Sequence, residues 1–502
     1  MKFLRKFDRA HSSRKLVLAA ILLVAAAAYL AVLLKYNCWF VGGPDSAGYC
    51  TEAKMIASGH ITTEVPLLRE LQLPPDMIRV FTPTGWMRGP VDGFMVPTYP
   101  AGVPFHQALL GKLFGWGRGP FLVAPIVAFL TLFACIALLC EFGLPAEYAI
   151  GGAAIYVLVP SFVSHAIQPV SDDVASFYSI VAIWLALRAS RVVTSIVPAI
   201  VPSIMAGVAF SIGVWVRPTN FLLCIALAFA LRWNPRRLIA AVIGSLPLGL
   251  ALAWWNKTLY GSPFSTGYGS AFNVLKPYPA CGAFHLRMIG EMLTPLIALG
   301  ALFVFFDRRI DGWLRALIGA WAGSFLLFYS FYDYCDERFL LPALPALIAG
   351  FLLTLRRAFR LVGEETPVFA QVVARLVIVA LIGLQIETLK YDTTLDLARY
   401  DNIFPTSIAF AEARLPKDAF VVSGLMAGAF LYDTGRYTFR FDVLPEPGRL
   451  ALAREAARRA HKRWYALLSV EEATPDRFDV WEPSRWVPVG INRDVTLWKL
   501  EE

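Results

Sequence analysis

The 502-residue sequence is short of charge: Asp, Glu, Lys and Arg make up only 17% of it, whereas hydrophobic residues make up 57%. Soluble proteins are nearer a quarter charged and half apolar. This shortage excludes an ordinary cytosolic enzyme, a disordered chain and a disulfide-rich secreted module. The composition is that of a polytopic membrane protein, in which apolar stretches of about 20 residues fill most of the chain.

Cysteine is scarce as well, since the seven cysteines are scattered and no two have the CxxC spacing of zinc sites and redox motifs. The 46 Lys and Arg residues outnumber the 37 Asp and Glu residues, which gives a net charge of +9. No basic stripe or recognition motif accompanies this excess, so nucleic acid is not an expected partner. The bases lie instead in short patches between apolar runs, as in the cytoplasmic loops of membrane proteins.

About eleven apolar segments are expected to cross the bilayer. They are residues 16–34, 119–140, 147–167, 174–189, 195–215, 218–232, 237–255, 287–306, 313–331, 338–355 and 367–388. The first could also be read as a signal peptide, because six bases precede it. We predict a retained helix, since the run is long for a signal core and the residues 36–39 that follow make a poor cleavage site.

The orientation of these segments follows from the bases between them. With the N-terminus in the cytoplasm, the predicted inner loops carry most of the basic residues, namely Arg188, Arg191, Arg232, Arg236, Arg237, Arg308, Arg309, Arg315, Arg356, Arg357 and Arg360. Only the 141–146 loop, which is also predicted to be inside, lacks a base. An odd number of spans places the C-terminus on the outer side.

Two long segments are expected on the outer face. Residues 35–118 form a loop of a length that is usually functional, with an amphipathic helix at 46–58 and a re-entrant or interfacial helix at 97–114. From residue 393 the pattern changes to alternating helices and strands. We therefore predict an α-helical polytopic domain over 1–392 and a small extracytoplasmic α/β domain over 393–502. The tail is expected to hold helices at 405–415 and 448–464, strands at 420–423 and 465–470, and a hairpin of 487–491 with 495–500.

Acidic residues mark two places on the outer face. Asp45 follows the first span and begins a helix, where it could be an N-cap or could accept a proton from an alcohol. Asp172 and Asp173 are adjacent in a short turn, where capping needs only one acid, and two could hold a divalent cation. His165 lies just before this corner, and a lone histidine there is more often a structural hydrogen-bonding group than a ligand.

Three bases disobey the charge bias, because Arg217, Lys257 and Arg338 fall at outer helix ends. Arginine suits phosphate through its planar, forked donors. The alternative is a salt bridge, for example of Arg338 with Asp336 or Asp333, the second of which lies outside the residues described below. Acids and bases gathered at one membrane face suit group transfer from a lipid phosphate, although the residues alone do not separate this from transport of an anionic solute.

At these positions the chain resembles the GT-C superfamily of integral-membrane glycosyltransferases, in the bacterial branch related to protein O-mannosyltransferases and lipid A aminoarabinose transferases. The resemblance covers most of the chain. It rests on five short motifs in order: Gly-Pro-Asp-Ser-Ala-Gly-Tyr around Asp45, Tyr99 to Pro104, Ser171 to Asp173, Leu259 to Phe264 with Thr266 to Tyr268, and Glu337 to Pro342 with Pro345. Many relatives have Asp-Glu at the first motif, whereas Ser46 follows Asp45 here.

The resemblance implies inverting transfer of a sugar from a polyprenyl-phosphate donor to a glycan, lipid or protein acceptor, at the periplasmic face of a bacterial inner membrane. It makes Asp45 the base and Asp172 or Asp173 a second acid, which orients the acceptor or holds a metal. No cofactor is required, although Mg²⁺ or Mn²⁺ at Asp172 and Asp173 is a candidate. Arg338 would bind the donor phosphate with support from Arg217 and Lys257. The predicted substrate pocket comprises Tyr49, Tyr99, His165, Gln168, Tyr268 and Glu337.

Two alternatives to an enzyme remain at this point: a transporter or flippase for a lipid-linked or anionic solute, and a non-catalytic scaffold. No inverted repeat, which is typical of secondary transporters, is present in the sequence. The cysteines on the predicted outer side are Cys38, Cys50, Cys281 and Cys335. A Cys38–Cys50 disulfide is one hypothesis, because the periplasm permits it, and free thiols are the other.

Overall fold

The computed structural model describes residues 20–191, 196–270, 278–332, 334–360, 368–443, 447–473 and 485–501. Helices form most of the chain up to residue 391. They are α1 (Ala20–Tyr36), α2 (Pro44–Ala57), α3 (Pro66–Glu70), α4 (Gly102–Phe114), α5 (Val123–Glu141), α6 (Ala146–Val157), α7 (Pro160–Ala166), α8 (Asp172–Arg191), α9 (Ile196–Val216), α10 (Leu223–Ala230), α11 (Pro235–Tyr260), α12 (Pro279–Phe303), α13 (Gly312–Tyr329), α14 (Leu344–Arg360) and α15 (Val368–Tyr391).

Each of the eleven predicted spans coincides with helix where the chain is described, but not all are equally long. Among the described residues, seven helices are long and apolar enough to cross a membrane, namely Gly119–Glu141, Asp172–Arg191, Ala199–Val216, Pro235–Tyr260, Pro279–Phe303, Glu337–Ala358 and Phe369–Tyr391. An eighth span is counted if α6 and α7, which are bent by 68°, form one. The bend falls where Pro160 starts α7, because proline interrupts helical hydrogen bonding. The number eleven is therefore not confirmed, although a multi-pass membrane protein is.

Three predicted spans remain. The 313–331 segment is α13, which has 18 residues but is not among the seven, and the other two are shorter helices. In the described part of the chain α1 has its first residue at Ala20, and the predicted start at residue 16 lies outside the described residues. The 218–232 segment is a 3-10 turn, Pro218–Leu222, followed by the eight residues of α10. A helix needs about 20 residues to cross the hydrocarbon layer, so this segment reaches only part of the way.

The two ends of α8 differ in charge. Near the C-terminal end of α8, Arg188 and Arg191 form ion pairs with Glu141, the last residue of α5. Arg356 donates a hydrogen bond to the carbonyl oxygen of Gly143 at the same end. The 141–146 loop therefore lies among basic residues although it has none of its own. The acids Asp172 and Asp173 lie at the opposite end of α8, about 30 Å away for a 20-residue helix.

The 35–118 loop is ordered over its whole length. After α2 come β1 (Thr63–Glu64), α3, a 3-10 segment (Pro75–Phe81), β2 (Trp86–Arg88) and β3 (Phe94–Pro97), and the three strands form an antiparallel sheet in the order β1-β3-β2. The expected helix at 97–114 is α4. Phe105, Leu109 and Leu113 are exposed along it at four-residue spacing, which is the pattern of an interfacial helix.

Between α11 and α12 two short strands, β4 (Ser265–Thr266) and β5 (Gly269–Ser270), pair antiparallel.

The C-terminal α/β region follows α15, and its elements agree with the sequence pattern. It contains α16 (Leu397–Asp401), α17 (Ile403–Glu412), β6 (Ala419–Val422), α18 (Ala427–Thr434), α19 (Pro447–Arg459), β7 (Arg463–Ser469), β8 (Trp486–Asn492) and β9 (Val495–Leu500). The strand order is β6-β7-β9-β8, with β6 and β7 parallel and the predicted β8–β9 hairpin antiparallel.

This region packs directly on α2, the helix that carries Asp45. Lys54 donates a hydrogen bond of 2.8 Å to the carbonyl oxygen of Tyr432, and its ammonium lies over the Tyr432 ring. Gly428 lies so close to Ala47 that a Cβ at position 428 would be 2.7 Å from the Ala47 methyl group. The C-terminal region therefore holds α2 in place by direct packing.

Candidate active site

Asp45 lies in the first turn of α2 but does not cap it. The N-cap is Gly43, and no side chain caps this terminus. The Asp45 carboxylate instead accepts a hydrogen bond of 2.6 Å from the hydroxyl of Tyr99 and one of 2.9 Å from the guanidinium of Arg338. The capping alternative is thus not what the structure shows. Asp45 is held by residues 54 and 293 positions away in the chain.

The charge of Asp45 is stabilised by these partners. Partial burial opposes ionisation of the carboxyl, but the Arg338 charge and the hydrogen bonds from Tyr99 and Arg338 outweigh it, and the pKa of Asp45 lies below its usual value. The side chain remains 35% exposed. Asp45 is therefore an ionised carboxylate that a substrate can reach.

Small residues allow Tyr99 to reach Asp45. The Tyr99 ring lies against Gly48, one turn after Asp45, and against Gly85 before β2; a Cβ at Gly48 would be 2.5 Å from the ring carbons. Gly267, in the strand turn after α11, similarly lets its backbone lie on Thr98. The glycine in the Asp-Ser-Ala-Gly-Tyr motif is thus a requirement of packing around the site.

Asp172 forms a second, deeper acid–base pair. Its carboxylate makes an ion pair with Arg217, and its other oxygen is 3.9 Å from Arg338 and 3.9 Å from His165. The side chain is only 2% exposed, and that of Arg217 is 17% exposed. Arg338 lies between the two carboxylates, since the same guanidinium nitrogen faces both Asp45 and Asp172.

Asp173 is not part of this cluster. It is fully buried, and within the described residues its carboxylate has no hydrogen-bond partner, although the backbone N–H groups of Asp173 and Val174 are near. It interacts electrostatically with the phenols of Tyr29 and Tyr156. Successive residues of a helix point about 100° apart, so the two adjacent acids face different surroundings.

Arg338 is held from its own side of the site by Asp336. One carboxylate oxygen of Asp336 accepts the backbone N–H of Arg338 at 3.1 Å, and the other is 3.0 Å from Nε of its guanidinium. Phe339 follows, with its ring 5.0 Å from the Arg217 guanidinium and stacked on Tyr329 at 4.6 Å. The salt bridge to Asp336 that the sequence offered as an alternative is present, and it coexists with the pair to Asp45.

The other predicted pocket residues divide into near and far. Tyr268 is half exposed with its ring 6.3 Å from that of Tyr99. Tyr49 is buried and donates its hydroxyl hydrogen to Ser171 at 2.9 Å. Gln168 donates to the carbonyl oxygen of Ser164 at 3.0 Å, and Glu337, beside Arg338, is half-buried.

His165 lies at the edge of the cluster, whereas Lys257 lies outside it. Nδ1 of His165 lies 2.6 Å from the Ser161 carbonyl oxygen one turn earlier, which is the structural hydrogen bond that the sequence favoured. Lys257 is exposed at the end of α11, and in the described part of the chain it forms no ion pair with these acids. The structure does not bring Lys257 to the site.

The sequence did not predict the disulfide that lies near Arg338. Cys281 is joined to Cys335 by a disulfide, whereas Cys38 and Cys50 are both free and buried. The Cys38–Cys50 hypothesis is therefore wrong and its free-thiol alternative is confirmed. His285, one turn after Cys281, was also missed; its ring hydrogen-bonds the Asp336 carbonyl oxygen at 3.2 Å. The only available clue was that Cys281 and Cys335 both fall on the predicted outer side.

The sequence matches no protein-family profile, and no curated protein matches it. Solved structures do match. ArnT from Cupriavidus metallidurans bound to undecaprenyl phosphate is 14% identical, with a TM-score of 0.62 over 96% of this chain and 97% of that one. AglB, the Archaeoglobus fulgidus oligosaccharyltransferase in complex with an inhibitory peptide and a dolichol-phosphate, is 12% identical, with a TM-score of 0.55 over 91% and 70%. The mycobacterial arabinofuranosyltransferase AftD is 13% identical, with a TM-score of 0.53 over 96% and 42%.

These matches extend over nearly all of this chain, so the GT-C fold expected from the sequence motifs is confirmed. AglB has also been solved in complex with zinc and sulfate. In this protein the residues predicted to hold a cation do not suit one. Arg217 and Arg338 both lie at the Asp172 carboxylate, Asp173 is directed elsewhere, and within the described ranges no three His, Cys, Asp or Glu side chains form a metal-binding group.

Proposed function

We propose that this protein is an inverting glycosyltransferase that moves a sugar from a polyprenyl-phosphate donor to a glycan, lipid or protein acceptor. The observation that carries the proposal is the Asp45–Arg338 pair. It joins an accessible carboxylate to a phosphate-binding type of side chain at one end of a membrane bundle. The shared fold supports it, since ArnT was solved with undecaprenyl phosphate and AglB with dolichol-phosphate.

In the proposed reaction Asp45 accepts the proton of an acceptor hydroxyl while the acceptor oxygen attacks the anomeric carbon of the sugar. The bond from that carbon to the phosphate oxygen breaks, and the lipid phosphate leaves with the electron pair. Arg338, with Arg217 beside it, stabilises the negative charge on the leaving phosphate. A single displacement of this kind inverts the anomeric centre.

Arg338 has a double role in this scheme. Without a donor it neutralises Asp45, and this pairing keeps the pKa of the carboxyl low. A donor phosphate competes for the same guanidinium, since arginine forms its strongest hydrogen bonds with anionic oxygens. When Arg338 turns toward the phosphate, Asp45 loses its counter-ion and becomes a stronger base. Asp172 remains as the buried counter-ion that holds both arginines in place.

We place this site on the extracytoplasmic side of the membrane. The basic helix ends around Glu141 lie at the opposite end of α8, and such bases favour the cytoplasm. The Cys281–Cys335 disulfide lies beside Arg338, and disulfides persist in oxidising compartments such as the periplasm. Both features support the bacterial inner membrane with the C-terminal region in the periplasm.

Transfer by the purified protein in detergent tests this function against the transporter. Radiolabelled polyprenyl-phosphate sugars are incubated with the protein and a membrane extract that supplies acceptors, and labelled product is separated from donor. The proposal predicts product without a sealed bilayer. Movement of label into sealed proteoliposomes, with no product formed in detergent, would instead identify a transporter.

A further inference from the structure

We infer that the Cys281–Cys335 disulfide, together with His285 and Asp336, is a positioning clamp that sets Arg338 in place to receive the donor phosphate. This inference rests on the proposed function. It assigns to the disulfide an effect on donor binding, beyond general stabilisation, and makes that binding sensitive to reduction.

The clamp starts on α12 and ends at the arginine. Cys281 is buried in the first turns of α12, and it is bonded to Cys335 across 54 residues of sequence. His285 lies one turn further along α12 and is fully buried. Its Nε2–H donates to the carbonyl oxygen of Asp336 at 3.2 Å. Two adjacent residues, 335 and 336, are thus tied to one helix by a covalent bond and a hydrogen bond.

Asp336 transmits this constraint to Arg338. Its carboxylate accepts the Arg338 backbone N–H at 3.1 Å and lies 3.0 Å from Nε of the guanidinium, so both the main chain and the side chain of Arg338 are set by the clamped residue. The Arg338 Nη1 nitrogen then meets Asp45 at 2.9 Å. Only two residues lie between Cys335 and Arg338, so the chain between them can move little.

The arginine needs this support because it lies in a 3-10 segment and not in an α-helix. The Glu337–Ala343 stretch is a 3-10 turn capped by Asp336, and 3-10 turns have weaker hydrogen bonds than α-helices. Arg338 also lies between two acids, Asp45 and Asp172, at 2.9 and 3.9 Å. A fixed main chain keeps the Arg338 guanidinium beside the accessible Asp45. It also prevents the guanidinium from moving closer to the buried Asp172–Arg217 pair.

Reduction of the folded protein is the direct test. Cys335 is exposed, so a reductant reaches the bond from solvent. One molecule of dithiothreitol converts the disulfide to two thiols and is itself oxidised to its cyclic disulfide. Undecaprenyl phosphate is titrated into the oxidised and the reduced protein, and the melting temperature of each is recorded, so that loss of binding is separated from loss of fold.

We expect reduction to weaken undecaprenyl phosphate binding about tenfold, which is the order of effect of losing one hydrogen bond from Arg338 to the phosphate. The Cys281→Ser, Cys335→Ser double variant should bind as the reduced protein does and be insensitive to dithiothreitol. Cys224→Ser, which removes a free cysteine, should keep the wild-type response. In transfer assays the donor KM should rise and kcat should fall as well, because Arg338 both binds the donor phosphate and stabilises the charge on it as it leaves. The acceptor KM should stay at the wild-type value, because the clamp acts on the donor side of the site.

The results separate the two proposals. Equal affinity of the oxidised protein, the reduced protein and the double variant would overturn the clamp and leave the glycosyltransferase standing. Peptide mapping without reductant that finds Cys281 and Cys335 unpaired would overturn it as well. If the oxidised protein itself does not bind undecaprenyl phosphate, the proposed function fails, and the clamp fails with it.

Discussion

The site contains two carboxylate–arginine pairs of the same chemistry in different surroundings. The Asp172 side chain is 2% exposed in its pair with Arg217, whereas Asp45 is 35% exposed in its pair with Arg338. A buried pair has no water to replace a lost partner, so it acts as part of the framework. An accessible pair can exchange its partner for a ligand. Burial therefore assigns the two acids to different tasks.

The largest expected effect is on the accessible acid. Asp45→Asn should lower kcat for transfer by roughly 10²–10⁴-fold, which is the contribution of a positioned general base. The melting temperature should stay near the wild-type value, because the side chain is part of no buried pair. Glu70→Gln, a substitution at an exposed acid in the same loop, is the matched control and should be active. Near-normal turnover of Asp45→Asn would remove Asp45 as the base.

A substitution in the buried Asp172–Arg217 pair should instead lower the stability of the protein. Asp172→Asn leaves the Arg217 charge without its partner, and breaking a buried pair of this kind costs about 3–5 kcal/mol. We expect a clear fall in melting temperature. Adding Arg217→Met to Asp172→Asn should restore part of it, since no lone charge remains. A single Asp172→Asn variant as stable as Asp45→Asn would show that the two pairs do not differ.

How far the sequence predicted this contrast depends on the residue. Six charges are exceptions to the charge pattern of a membrane protein, and the structure gathers four of them: Asp45, Asp172, Arg217 and Arg338, but not Asp173 or Lys257. The sequence could not separate Asp172 from Asp173, because one step along a helix changes the direction of the side chain and hence its surroundings. For Lys257, placement at an outer helix end did not decide which way the side chain faces.

Two further features lay beyond sequence reasoning for a similar reason. The Cys281–Cys335 bond joins residues 54 positions apart, and four outer cysteines offer more than one pairing. The number of spans is also not confirmed, since apolar composition does not show that the 147–167 segment bends by 68° before Pro160. The helices themselves, the β8–β9 hairpin and the GT-C fold follow from local pattern and motif order, and these are confirmed.

Substitution of Arg338 tests whether the accessible pair, unlike the buried one, contributes to donor binding. Arg338→Lys keeps the charge but loses the forked donors, and hydrogen bonds to charged groups contribute about 1.5–3 kcal/mol. We expect the donor KM to rise about 10- to 100-fold. Steady-state kinetics with varied donor measure this effect. An unchanged donor KM would show that the phosphate does not bind at Arg338.

The pH dependence of transfer reports on the Tyr99 hydrogen bond. The pKa of Asp45 is lowered in the folded protein despite its burial, by the Arg338 charge and by this hydrogen bond. Activity needs the carboxylate, so it is lost as pH falls through that lowered pKa. Tyr99→Phe removes the bond and should move the acid limb of kcat/KM upward by about one pH unit. Tyr268→Phe, at a ring with no hydrogen bond to Asp45, should leave the limb in place.

The smallest expected effect is at Lys257. Its side chain is exposed and makes no ion pair with the cluster in the described part of the chain. Exposed charges contribute about 0–1 kcal/mol, so Lys257→Ala should change the donor KM by no more than about twofold. A rise as large as that for Arg338→Lys would mean that donor binding brings Lys257 into the site.

Binding of a lipid phosphate is the most direct test of whether Arg338 separates from Asp45 to bind the donor phosphate. Undecaprenyl phosphate is titrated into wild-type protein, Asp45→Asn and Arg338→Lys at fixed ionic strength. Asp45→Asn removes the competing carboxylate, so this variant should bind undecaprenyl phosphate at least as tightly as the wild type does. Arg338→Lys should bind it more weakly. Weaker binding by Asp45→Asn together with unchanged binding by Arg338→Lys would contradict both expectations.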